Sequence, residues 1–375
     1  MNQLKKIKLF THSIVLSLFP IIYLYAHNID QMPFRYSIQA LIWSLSVTVL
    51  MLLLVNIKVK NIERTSIYIS LLLLVFYSYG RIHTFFYDVV VSFISKYKIL
   101  TFIPKFDETN LYFHSIVLTL SISILLIATI RVRKTYNLNN VRIFANIFST
   151  ALLMFAVINI VKYHVSHEEY ISPYSKLRIN STQKINVDLL PDIYYFILDG
   201  YARDDILLKQ YNYDNSTFLN KLQEKGFFIA KNSHANYSWT FLSLPSSLNF
   251  TYLDDEVKDM INSNERDRLY RMIKDNRVMK FLKSYGYTYL HLKSSWIGAS
   301  DNKFADKEIG YHDMLFENDF TRVLSETTIL KLFSGVLSID LAHIHLENFK
   351  ILESVPDDPS PTFTFSHILL PHHPY

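Results

Sequence analysis

Long apolar runs crowd the first 165 residues and constrain this chain more than any other feature. Five can be marked: Ile7–Ala26, Ile38–Ile57, Thr65–Gly80, Leu111–Ile130 and Val141–Val161. Four of them have about the 20 residues that an α-helix needs to cross a bilayer. Thr65–Gly80 is shorter, and it decides the parity of the spans. A globular domain does not tolerate this density of uninterrupted apolar sequence, so residues 1–165 read as a membrane domain of five helices.

The cationic residues orient these runs. Lys5, Lys6 and Lys8 precede the first run, Lys58, Lys60 and Arg64 separate the second from the third, and Arg131, Arg133, Lys134 and Arg142 separate the fourth from the fifth. The alternate loops hold only Arg35 in one case and Arg81, Lys96, Lys98 and Lys105 in the other. With a cytoplasmic N-terminus and five spans, everything after Val161 is expected outside the cytoplasm. The first run does not read as a cleaved signal peptide: it lacks a small-residue cleavage pattern and more spans follow. Phe85–Leu100 mixes apolar and basic residues, as an interfacial amphipathic helix or a packed connecting loop would.

Charge divides the chain in the same place. Residues 1–165 carry 16 Lys and Arg against 5 Asp and Glu, whereas residues 166–375 carry 22 against 28. The formal charge of +5 is thus the sum of a basic membrane half and an acidic second half. Positive charge distributed between apolar runs argues against a nucleic-acid partner, which requires a basic patch on a folded surface. The absence of Cys excludes disulfides, thiolate metal ligands and a cysteine nucleophile.

Residues 166–190 are polar and irregular and read as a linker, leaving residues 191–375 as a second domain. Asp192–Leu198 is a β-rich run, apolar almost throughout, as in a strand buried on both faces of a sheet, and it ends at Asp199-Gly200. Two later segments share one grammar. Asn215 and Asp275 each open a helical stretch, Gly226 and Gly286 stop them, and β-rich runs follow at Phe227–Ala230 and Tyr287–Leu292. Asn or Asp at the start and Gly just past the end are helix boundary signals. Strand–helix alternation of this kind predicts an α/β domain with a mostly parallel sheet. Thr362–His367 is a further strand candidate.

Chemistry is expected beyond the carboxyl ends of such strands. Asp199 lies at one, as a candidate ligand for a divalent cation or as a cap on the turn that follows. His367, His372 and His373 follow another, where imidazoles ligate metal, bind phosphate or donate a proton. Between them lies the hydroxyl-rich stretch Asn236–Asn249. A helix starting near Trp239 would aim free amides at a phosphate or sulfate oxygen, and a hydroxyl there becomes a nucleophile when a metal lowers its pKa. Thr240 fits that position best, with Ser238 and Ser243 as neighbours. No HExxH, GxSxG, Walker A or GxGxxG motif occurs.

Taken in order, a multi-span N-terminal part, a strand ending I-L-D-G, the block N-Y-S-W-T-F-L-S-L-P-S-S-L-N and the block F-S-H-I-L-L-P-H-H-P-Y resemble the sulfatase-like branch of the alkaline phosphatase superfamily. More narrowly, they are similar to membrane-anchored phosphoglycerol and phosphoethanolamine transferases, including lipoteichoic-acid synthase. The resemblance implies five spans in the cytoplasmic membrane and an extracytoplasmic catalytic domain that uses manganese, zinc or magnesium. It implies Asp199 as a metal ligand, Thr240 as nucleophile and metal ligand, His372 as a catalytic and substrate-phosphate contact, and His367 as its companion in substrate binding. The implied partners are a phospholipid donor and an envelope glycan or lipid acceptor, joined through a phospho-threonine intermediate. The same residues would serve a phosphate or sulfate ester hydrolase. A membrane-anchored scaffold without catalysis is the reading from another class. No C/S-x-P-x-R sulfatase motif occurs, which favours phosphoryl transfer. The family also places an Asp-His pair well after H-x-P-Y. Here that block ends the sequence at Tyr375, so the expectation is an N-terminal part of a longer catalytic domain, inactive by itself.

Overall fold

The computed structural model describes residues 10–96, 111–166, 190–254, 258, 266–294, 296–310, 319–333, 341–355 and 360–372. Two compact units emerge, a helical one of Met1–Glu168 with Asp313–Ile339 and a sheet unit of Glu169–His312 with Asp340–Tyr375. The expected 166–190 linker lies almost wholly outside the described residues.

Helices α1 (Thr11–His27), α2 (Arg35–Val59), α3 (Ile62–Lys96), α4 (Leu111–Lys134) and α5 (Asn139–Ser166) form the first unit. Among the described residues four of these, α2 to α5, are long and apolar enough to cross a membrane, and α1 is a shorter apolar helix. The start of the first predicted run, Ile7–Leu9, lies outside the described residues. The weak member of the set is therefore not the one expected. The run Thr65–Gly80 is embedded in a 35-residue helix that continues through Arg81, His83 and Asp88. It looks less apolar for a physical reason. In its most apolar window 44% of residues are buried in the protein, against 11% to 17% for the other three. Polar side chains that would be costly against lipid are satisfied inside the bundle instead. Of the stretch Phe85–Leu100, the residues through Lys96 belong to this same helix rather than to a separate interfacial helix or a connecting loop, and 97–100 lie outside the described residues.

α1 packs against α2, α3 and α5. Its buried side recurs at helical spacing: Ser13, Leu16, Ser17, Ile21, Leu24 and Tyr25. Small buried residues on both helices, Ser13 and Ser17 on α1 and Ser149 and Ala156 on α5, suit close approach of backbones. His12 is fully buried, with Nδ1 at 2.6 Å from Ser70 Oγ and its backbone amide donating to Asn146 Oδ1 at 2.9 Å. Arg64 donates to the Thr135 carbonyl at 3.2 Å, and Arg142 pairs with Glu63 at 3.2 Å. The α2–α3 and α4–α5 turns thus share one end of the bundle, as their common positive charge implies.

The sheet unit opens with β1 (Ile193–Leu198), followed by α6 (Asp204–Tyr211), α7 (Ser216–Glu224), α8 (Thr240–Asn249), α9 (Asp267–Lys274) and α10 (Arg277–Ser284). β2 (Thr288–Leu292) and β3 (Lys307–Ile309) come next. α11 (Asp319–Thr327) returns to the helical unit, and α12 (Leu341–Leu352) precedes β4 (Thr362–Ile368). The four strands pair in the order β1-β4-β2-β3, all parallel. β4 is central and buried along its whole length, with Phe363 and Phe365 packed against Tyr289, Leu244, Leu248 and Ile273. Each such aromatic contributes about 1.5–3 kcal/mol by burial.

Several local signals act as expected. Gly226 and Gly286 close α7 and α10 with φ of +88° and +91°, values that glycine adopts without a Cβ clash. The cap of α10 is Asn276, whose side chain accepts from the Met279 amide, rather than Asp275. Two strand expectations are corrected. Phe227–Ala230 is not a strand: Phe227 and Phe228 are 59% and 91% exposed, and no neighbour pairs with it among the described residues. β1 is an edge strand, with Tyr194, Phe196 and Leu198 turned outward rather than buried on both faces.

The largest departure is the segment 319–333. Sequence assigns all of 191–375 to one domain, yet Phe320 is buried with Ile21, Leu24, Tyr25 and Ala40 of α1 and α2. The turn Ile329–Phe333 packs its Ile329 and Leu332 on Tyr79, Phe113 and Val117. A Cβ on Gly80 would overlap the Glu326 carbonyl oxygen, so α11 ends directly on the backbone of α3. Gly80→Val is expected to release this segment while α3 itself remains helical. Amide exchange across residues 320–332 should then rise at least tenfold, with helicity by circular dichroism unchanged.

A buried imidazole makes the sheet unit sensitive to acid. His291 on β2 is 1% exposed, with Nε2 at 2.9 Å from the Ala299 carbonyl. Burial pushes its pKa down from 6.5 to about 4, with Lys274 and Lys293 adding to the effect against the Ala299 bond and Asp301. Between those values the unfolded chain binds the extra proton, so stability present above pH 6.5 is lost as pH falls towards 4. The expected loss is about 3 kcal/mol. The urea midpoint of tryptophan fluorescence should fall over that window in the wild type, and much less in His291→Gln.

Candidate functional site

β1 and β4 bring the first two site residues together. Their register pairs Ile197 with His367, and the Asp199 amide extends the ladder by donating to the Ile368 carbonyl at 2.8 Å. Side chains alternate between faces, so Asp199, two residues after Ile197, stands on the same face as His367. His367 Nε2 faces Asp199 Oδ2 at 3.3 Å. The His367 side chain is fully buried and that of Asp199 is 15% exposed.

Helix α8 supplies the third group. Thr240 is its first residue, and its hydroxyl donates to Asp199 at 3.1 Å from Oδ1 and 3.3 Å from Oδ2. The Trp239 carbonyl accepts from Leu242 and Ser243, so the amides of Thr240 and Phe241 precede the first helical bond. The neighbouring hydroxyls are used elsewhere. Ser243 Oγ donates to Asn236 Oδ1 at 2.5 Å, Asn236 Nδ2 reaches Ser247 Oγ at 3.4 Å, and Ser246 donates to the Thr251 carbonyl at 2.6 Å. Asn249 ties the far end of α8 to Pro245, Met272 and Arg277. Of the hydroxyls in this motif, Thr240 is the one that bonds to Asp199.

The loop after β4 adds His372. Its amide donates to the Leu369 carbonyl at 2.7 Å, and its side chain is exposed. Gly200 has φ of +76°, and a Cβ there would stand 3.1 Å from His372 Cα. Glycine is needed at this point both for the turn and for the passage of the His372 backbone. His373, Pro374 and Tyr375 lie outside the described residues.

Electrostatics follow from this packing. Burial opposes ionisation of Asp199, but the His367 imidazole, the Thr240 hydroxyl and the proximity of His372 together outweigh it. The carboxyl is held below its ordinary range. Two supports were not anticipated from sequence. Ser294 Oγ lies 3.0 Å from His367 Nδ1 and accepts from the Trp296 amide at 3.2 Å, while the Trp296 ring stands 4.9 Å from the imidazole. Both residues follow the carboxyl end of β2, so the strand-end rule that singles out Asp199 and His367 points to them as well.

The donor set fits a divalent cation. His367 Nε2 is buried and makes no hydrogen bond among the described residues. The Asp199 carboxylate lies 3.1 Å from Thr240 Oγ and 3.3 Å from His367 Nε2. Asp199, His367 and Thr240 would hold the ion. Among the described residues no group of three or more His, Asp or Glu is arranged to hold a metal.

Comparisons with protein-family models, with curated proteins and with solved structures find no match to this chain. The geometry therefore carries the functional argument. Its first test is Gly200→Val. This change should displace the His372 loop and raise exchange of the His372 amide, which donates to Leu369, severalfold, with the sheet still folded by circular dichroism.

Proposed function

We propose that this chain is a membrane-anchored, metal-dependent transferase that moves a phospho-head-group from a phospholipid to an envelope glycan or lipid. The observation that supports it most is that Thr240 and His367 each approach the Asp199 carboxylate, at 3.1 and 3.3 Å, from positions up to 168 residues apart. Their types and order are those of the sulfatase-like branch of the alkaline phosphatase superfamily, and the all-parallel sheet suits that fold.

In this reading Thr240 Oγ attacks the phosphorus of the donor, and its proton passes to the Asp199 carboxylate that already accepts its hydrogen bond. The phosphorus–oxygen bond to diacylglycerol breaks as the bond to Thr240 forms. His372, exposed beside the site, donates a proton to the departing oxygen. The first amides of α8 face the phosphoryl oxygens, where a helix N-terminus stabilises negative charge. A bound divalent cation would neutralise charge on the nucleophile and on those oxygens. An acceptor hydroxyl, giving its proton to His372, then takes the phospho-group as its bond to Thr240 Oγ breaks, and Asp199 returns the proton to Thr240.

The apolar helices of the first unit support a lipid donor, since anchoring confines enzyme and substrate to one surface. With α1 as a fifth span and an inside N-terminus, the sheet unit stands on the extracytoplasmic side of the cytoplasmic membrane. Thr240→Ala is expected to abolish transfer of labelled head group. The wild type quenched during turnover should carry a phospho-adduct on the peptide containing Thr240. Unchanged transfer in Thr240→Ala would sink the assignment.

A further inference from the structure

The helical unit contains a cavity of about 280 Å³ between α1, α3 and α5, with Leu16, Leu74 and Leu152 in its wall and Tyr23, Arg81 and Thr327 among its other lining residues. That is at the lower end for a small-molecule pocket and suits a length of acyl chain rather than a whole lipid. Leu74 is 43% exposed, so the wall continues onto the apolar outer surface of the bundle.

Arg81 sets the head-group chemistry. Arg64 and Arg81 lie on one helix, 17 residues apart. At about 1.5 Å per residue this is about 26 Å, close to the hydrocarbon thickness of a bilayer, about 30 Å. Arg64 belongs to the cationic end of the bundle, so Arg81 lies near the opposite membrane–water boundary. Its guanidinium stands 5.6 Å from the Tyr23 ring centroid. Among the described residues no carboxylate pairs with it. A guanidinium at the head-group level, against an aromatic ring and with no carboxylate paired to it among the described residues, matches a phosphodiester in charge and hydrogen-bonding geometry.

We infer that this cavity binds one anionic phospholipid, with an acyl chain against Leu16, Leu74 and Leu152 and its phosphate on Arg81. Thr327, brought in by the α11 segment, lines the same cavity, so that segment contributes to the site as well as covering Gly80. The inference does not rest on the transferase reading, because occupancy is measured without turnover.

The test places the full chain in nanodiscs of equal phosphatidylglycerol and phosphatidylcholine, exchanges it into detergent, and quantifies retained lipid by native mass spectrometry. One phosphatidylglycerol per chain is expected, at least tenfold over phosphatidylcholine. Arg81→Gln should bring that ratio close to one, and Leu152→Trp should remove the retained lipid, with unchanged helicity in both. Leu74→Trp, at the exposed wall, replaces Leu152→Trp if the latter fails to fold. Equal retention of the two lipids by the wild type, or an unchanged ratio in Arg81→Gln, overturns the head-group assignment. Unchanged retention in the tryptophan variant overturns the cavity.

Discussion

The parallel pairing of β1 with β4 is the constraint on which the candidate site depends. The strands are far apart in sequence, and their register aligns Ile197 with His367. Alternation then places Asp199 on the same face as His367 at the carboxyl end. A shift of one residue would turn one of the two to the opposite face. Register is strongly determined here because β4 is buried throughout, and its aromatic residues pack only one way against Tyr195, Tyr289 and His291. At the opposite end, Asp192 accepts from both the amide and the hydroxyl of Thr362, at 2.8 and 2.9 Å. The core thus aligns the polar pair, and the polar pair contributes little to holding the core.

Much of this was legible in sequence because it rests on local rules. Gly226 and Gly286 end helices through backbone freedom, and Asp199, Thr240 and His367 stand at strand ends or a helix start. What escaped depends on partners distant in sequence. The apolar pattern of β1 does not say whether a strand is central or at an edge. Phe227–Ala230 has β-rich composition, but composition does not supply a neighbour to pair with. Asp319–Phe333 is ordinary amphipathic sequence, and only the bare backbone at Gly80 and the hydrophobic socket around Phe320 assign it to the helical unit. Gly80 was visible throughout as the end of an apolar run, and its neighbours, Glu326 and Thr327, are separated from it by more than two hundred residues.

The hydroxyl-rich motif shows how a site is separated from its scaffold. Four hydroxyls lie in α8, at Thr240, Ser243, Ser246 and Ser247. Asn236 bonds the first and last serines, and Ser246 caps the helix end on Thr251. Composition alone makes these residues equivalent candidates. The hydrogen-bond inventory removes the serines, because a hydroxyl bonded to Asn236 or a carbonyl is oriented away from Asp199. Thr240 differs by its position on the first turn, where its side chain points out of the helix start towards β1. Its methyl group also restricts χ1, so the hydroxyl loses little entropy when held against a carboxylate.

The same economy of polar groups governs the helical unit. α3 is the least apolar of the four long helices because it is the most enclosed by protein. His12 bonds to both Ser66 and Ser70 inside the bundle, and Tyr79 bonds to His114 Nδ1 at 3.0 Å. Such bonds contribute about 0.6 kcal/mol each on average between membrane helices, so their greater effect is on specificity. A polar side chain rotated towards lipid would lose its partners, which selects one rotation of α3 and one face of α1. That rotation turns Gly80 to α11 and sends Arg81, one residue on, to the ring of Tyr23. The position of a single exposed guanidinium thus follows from buried hydroxyls and imidazoles along the same helix.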